Sequence, residues 1–113
     1  MIRNEVDRDM WAQLIEMKLK DGQDPTEMIR LIRAAEQPGS GLVRSHFMRD
    51  QADPSRILTL VVFESEEKAR ARERDPRRTE QLAAARSMMA DIFEGPPTFT
   101  DLEVVDEWTD ATA

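Results

Sequence analysis

The chain has 113 residues, a formal net charge of −7 and no cysteine. That length allows one domain and one core, and the missing thiol excludes a disulfide framework, a thiolate zinc site and a cysteine nucleophile. The acidic balance argues against a nucleic-acid partner, because the densest basic stretch (Lys68, Arg70, Arg72, Arg74, Arg77, Arg78) is interleaved with glutamates and aspartates and holds no aromatic residue.

Residues 1 to 9 are mostly charged and read as a mobile lead-in without the apolar stretch of a secretion signal. A strand is predicted from Met10 to Lys20. Trp11, Gln13, Ile15, Met17 and Leu19 share one face, and Ala12, Leu14, Glu16, Lys18 and Lys20 the other. Asp24-Pro25-Thr26-Glu27 is a helix start: an aspartate able to cap, a proline in the first turn and a glutamate at capping-box spacing. Met28, Ile29, Leu31, Ile32 and Ala35 then form one apolar stripe, and Pro38-Gly39 ends the helix.

A second strand spans Gly41 to Asp50, with Leu42, Arg44, His46 and Met48 on one face and Val43, Ser45, Phe47 and Arg49 on the other. Turn residues at 51–55 join it as an antiparallel hairpin to Ile57–Glu64, a run apolar on both faces, as a central strand is. Ser65 caps a short charged helix, and Asp75-Pro76 interrupts it. A longer helix is predicted from there to about Phe93, burying Leu82, Ala85, Met89, Ile92 and Phe93. Gly95-Pro96-Pro97 stops it, a last strand is expected from Thr100 to Trp108, and 109–113 reads as a tail. A single domain over residues 10 to 108 follows.

The order βαβ, βαβ predicts an α+β, ferredoxin-like fold: a four-stranded antiparallel sheet with its helices on one face. The other face carries Ala12, Leu14 and the outward residues of the third strand. A contiguous apolar patch of roughly several hundred Å² is rarely left bare, so a homodimer pairing two such faces is expected.

The second half, ILTLVVFES followed by EEKARARERDPRR, TEQLAAARSMMADIF and EGPPTFTDLEVVDEW, resembles the dimeric α/β-barrel superfamily, in particular antibiotic-biosynthesis-monooxygenase-like proteins. That resemblance implies two sheets enclosing a barrel, a ligand cleft between sheet and helices or loops, and a small aromatic or hydrophobic ligand. It also implies oxygenase chemistry without a cofactor on an aromatic or polyketide-like molecule. The asparagine–tryptophan–histidine set of the haem-degrading branch has no counterpart, since the only asparagine is Asn4 in the lead-in. A non-catalytic binding protein and a dimerisation or interaction module are the alternatives.

His46 is the only histidine. It is the candidate base, with Arg44 on the same strand face as the candidate anion stabiliser; the plainer reading is a histidine at a strand edge or dimer seam. One histidine makes a dedicated transition-metal site unexpected. Trp11 and Trp108, at opposite ends of the first and last strands, are candidate pocket walls or core seals. Glu16, on one strand face with Lys18 and with Glu103 of the last strand expected nearby, is a candidate pocket carboxylate or a salt-bridge partner. Seven methionines suit a deformable interior. With no bilayer-length apolar run, a cytoplasmic protein without a membrane partner is expected.

Overall fold

The structure, a computed structural model, describes residues 9–109; the lead-in before Asp9 and the tail from 110 lie outside it. Four strands, β1 (Trp11–Lys18), β2 (Leu42–Arg49), β3 (Arg56–Phe63) and β4 (Thr98–Glu103), form one antiparallel sheet in the order β2-β3-β1-β4. Helix α1 (Thr26–Ala34) connects β1 to β2, and α2 (Glu66–Glu73), α3 (Pro76–Gln81) and α4 (Ala83–Ile92) connect β3 to β4. This is the ferredoxin-like α+β arrangement, with its helices on one face of the sheet.

Local chemistry sets the helix starts. Asp24 Oδ1 accepts from the Thr26 backbone N–H at 2.8 Å and from its hydroxyl at 2.6 Å, satisfying a donor that the first turn leaves free. Ser65 Oγ accepts from Lys68 N at 3.1 Å, and Asp75 Oδ1 from Arg77 N at 2.9 Å ahead of Pro76. The helix expected from Pro76 to Phe93 is divided at Leu82, although Leu82 N to Arg78 O and Arg86 N to Leu82 O carry the bonding across.

Two strands differ from expectation. In β2 the register shifts between Leu42 and Arg44, so Leu42 pairs with Phe63 and joins the helix side instead of the Arg44–His46–Met48 face. The chain enters that strand through Gly41 at φ +84°, where a Cβ would lie 2.7 Å from the Lys68 side chain. The last strand begins at Thr98 and ends at Glu103, not at Trp108. Glu103 pairs with Trp11, the first residue of β1, and a single long bond, Val104 N to Met10 O at 3.3 Å, follows before the chain leaves the sheet edge. The segment after it turns across the open sheet face: Val104 packs near Met10, Ala12 and Val62, and Glu107 reaches Arg44 on β2.

Against the sheet the helix-side core is in two parts, and a third cluster, Ala35, Leu82 and Ala85, packs among the helices. Met17, Leu19, Met28, Ile57, Ile92 and Phe93 pack at one end of the sheet under α1 and α4. Trp11, Val61, Phe63 and Ala69 pack at the other end under α2. Ile15, at the middle of β1, touches both clusters and is only partly buried.

Candidate functional site

Between the two clusters lies a cavity of about 750 Å³. Its floor is the middle of the sheet: Gln13 and Ile15 from β1, Ser45 and Phe47 from β2, Thr59 and Val61 from β3. These side chains share a face because the pairings Gln13–Val61–Ser45 and Ile15–Thr59–Phe47 run straight across three strands. Ile32, Leu82, Ala85 and Met89 form the roof, and Phe99 of β4, 57% exposed, stands at the edge. The volume is that of a drug-sized ligand site, and apolar side chains with a few fixed polar groups are what such sites use.

Thr59 is the polar group at the centre. It is 3% exposed, and its Oγ1 is buried with no hydrogen-bond partner among the described residues. An unpaired buried hydroxyl is destabilising by roughly 1–3 kcal/mol, and this one belongs to a residue that lines the cavity floor. Gln13 is anchored instead: its Nε2 donates to Asp101 at 3.0 Å, and Asp101 also accepts from Arg70 at 3.0 Å. The Gln13 hydrogen bond, followed by that of Arg70, holds the Asp101 carboxyl below its ordinary range. Arg70 lies over the Trp11 ring, 4.9 Å from its centroid.

One wall is charged. Arg72 donates to Glu36 from Nη2 to Oε1 at 2.7 Å and from Nε to Oε1 at 3.0 Å and Oε2 at 3.4 Å, and its guanidinium lies 5.3 Å from the Phe63 centroid. Burial raises the Glu36 pKa, but hydrogen bonds from Arg72 and Ser40 and the nearby charges of Arg72 and Arg78 leave it below the usual value. Arg33, Arg78 and Arg86 line the same cavity. Among the described residues no three of His, Cys, Asp and Glu are grouped to hold a metal ion.

The residues singled out in the sequence do not converge on this cavity. Arg44 and His46 do share a face, but it is the open one, since Ser45 and Phe47 between and beside them take the helix side. His46 is exposed opposite Leu60, and Arg44 is paired with Glu107 at 2.8 Å. The polar strand face was expected to border the cleft; the cleft instead opens in the helix-covered face, because the helices leave the sheet centre unfilled. Glu16 lies on the open face in an ion pair with Arg56. Trp11 packs against Phe63, centroids 6.0 Å apart, whereas Trp108 lies beyond the last strand and is 92% exposed, so the two indoles are not brought together.

Thr59, Arg72 and Arg78 were missed. The only signal for Thr59 was one hydroxyl inside the apolar run Ile57–Phe63. The arginines entered the sequence reading only as part of a basic stretch interleaved with acidic residues.

No protein-family model matches the chain, and no curated protein matches it by sequence. Solved structures do. A dimeric ferredoxin-like protein from an uncultured marine organism superposes with TM-score 0.71 at 10% identity, covering 95% of this chain and 97% of its own. The fold is shared. A candidate antibiotic biosynthesis monooxygenase from Caulobacter crescentus follows at TM-score 0.68 and 16% identity, covering 88% and 93%. A variant of SnoaB, a cofactor-independent oxygenase from Streptomyces nogalater, matches at 0.65 and 13%, covering 90% and 99%. The structural likeness expected from the second half of the sequence is therefore present over nearly the whole chain, at identities that speak for the fold alone.

Proposed function

We propose that this chain binds a small aromatic or polyketide-like molecule in the cavity between sheet and helices, and oxygenates it without a cofactor, as a homodimer joined through the open sheet face. The observation that carries the reading is the buried, unpartnered Thr59 hydroxyl at the floor of a cavity of about 750 Å³ with mainly apolar walls. In such a site an electron-rich phenol or quinol would be stripped of water, its oxygen hydrogen-bonded by Thr59 and any negative charge on it stabilised by the arginine wall. The substrate itself would supply the electrons that reduce O₂. Oxygenase neighbours of the same fold favour this chemistry.

Dimerisation rests on the open face. Ala12 and Val62 are covered by the returning segment, while Met48 and Leu102 are each about two-fifths exposed around the half-buried Leu14, Leu58 and Leu60. Arg44 and His46 stand on that face, and in this reading they belong to the seam between subunits. One neighbour is itself described as dimeric.

Oxygen uptake and product formation with a hydroquinone or anthrone, in metal-free buffer, test the activity. Uptake that depends on protein and is abolished by blocking the cavity supports it. Tight binding of the same compounds without uptake would reduce the protein to a small-molecule carrier.

A further inference from the structure

The cavity's charged wall is unbalanced. Four arginines and two glutamates line it, on a chain whose net charge is −7. Both glutamates are already engaged: Glu36 with Arg72 at 2.7 Å, and Glu73 with Arg70 at 3.3 Å. Among the described residues, neither Arg78 nor Arg86 meets a carboxylate within ion-pair distance. Arg78 is half-buried at the end of α3, with Arg72 and Arg86 near enough to repel it. Its pKa is pulled down to about 10, first by burial and then by the charge of Arg72, against the opposing charges of Glu36 and Glu73, so it remains a cation at neutral pH.

A half-buried guanidinium with no carboxylate in direct contact is destabilising unless something compensates it. Structural arginines in such places pair with a carboxylate or cap carbonyl groups, and Arg78 does neither among the described residues. The remaining wall is apolar and leads to the Thr59 hydroxyl. That arrangement has two poles: a cationic one at the helix wall and a neutral hydrogen-bonding one at the sheet.

We propose that the ligand is an amphiphilic anion, an aromatic or aliphatic body bearing a carboxylate or sulfonate-like group, and that Arg78 receives that group with Arg86 as the second cation. This rests on the reading of the cavity as a ligand site. A planar guanidinium engages a carboxylate through two parallel N–H donors, which would orient the body across the sheet centre toward Thr59.

Two fluorescent probes of nearly the same shape separate the charge from the cavity: 1-anilinonaphthalene-8-sulfonate, an anion, and the neutral N-phenyl-1-naphthylamine. The full chain should bind both, and Ser45→Phe, which fills the floor, should abolish both. Arg78→Gln should weaken the sulfonate by about tenfold and the neutral probe by less than about twofold; Arg86→Gln should show the same selectivity at about threefold. Circular dichroism checks that each variant folds. Unchanged sulfonate affinity in both arginine variants, or equal loss of the two probes, overturns the anion subsite while leaving the cavity reading intact. Binding of the neutral probe alone by the parent overturns the anion subsite, whereas failure of both probes, or binding that survives Ser45→Phe, overturns the cavity reading itself.

Discussion

The two faces of the sheet are built from the same strands and end in opposite conditions. The helix-covered face, with Ile57, Val61 and Phe63, is sealed at both ends yet hollow in the middle. The open face, with Leu58, Leu60 and Leu14, has no helix over it and is crossed only at one end by the segment after β4. Apolar area removed from water stabilises either way. A face with no cover must find it in another molecule, whereas a covered face with a gap can admit a small one. The first therefore points to self-association and the second to a ligand.

The largest effect should come from charging the open face. Leu60→Asp puts a carboxylate at the centre of the proposed seam and is expected to weaken the dimer by about a thousandfold or more. Light scattering at micromolar concentration should then report one chain mass where the parent gives two, with the helical signal retained. A parent that is already monomeric breaks the comparison on this side.

Filling the gap is the matching experiment on the other face. Ser45→Phe is expected to weaken binding of a neutral aromatic probe by about tenfold or more, and His46→Phe, one residue on and pointing the other way, by less than about twofold. Equal effects would mean that the faces are not distinct in function.

Thr59→Val separates stability from binding at one residue. Removing an unpaired buried hydroxyl at nearly constant volume should raise stability by about 1 kcal/mol in urea unfolding, while ligands that offer an oxygen bind more weakly. A destabilised variant would show that the hydroxyl is satisfied in solution.

The smallest effect concerns the Arg72–Glu36 pair at the cavity wall. The folded-state pKa of Glu36 is lowered, so its contribution is fully present above the ordinary glutamate range and is lost as pH falls through the depressed folded value. Stability measured from pH 6 down to pH 3 should therefore fall less steeply in Glu36→Gln than in the parent. Parallel curves would remove this pair from the acid response.

Period and punctuation made much of the fold legible before any coordinates. The alternation in Trp11–Lys18 assigned each side chain to its face, and Asp24-Pro25, Ser65 and Asp75-Pro76 marked helix starts whose capping bonds are present. These signals are local: dihedral preferences and nearby hydrogen bonds that a chain carries in its sequence. Strand ends were less legible, because after Thr98–Glu103 the chain turns over the open face, where Val104 packs near Met10, Ala12 and Val62. A cleft between sheet and helices was implied by the resemblance, but the residues that line it were not legible. Which of two sheet faces holds it depends on how far α1 and α4 stand from α2, a distance set by packing among residues remote in sequence, Met28 against Ile92 at one end and Ala69 against Phe63 at the other. Sequence alone determined that His46 and Arg44 lie together and opposite Ser45 and Phe47; only tertiary packing decided that the cavity belongs to the latter pair, since alternation sorts side chains into two sets and the placement of the helices chooses between them.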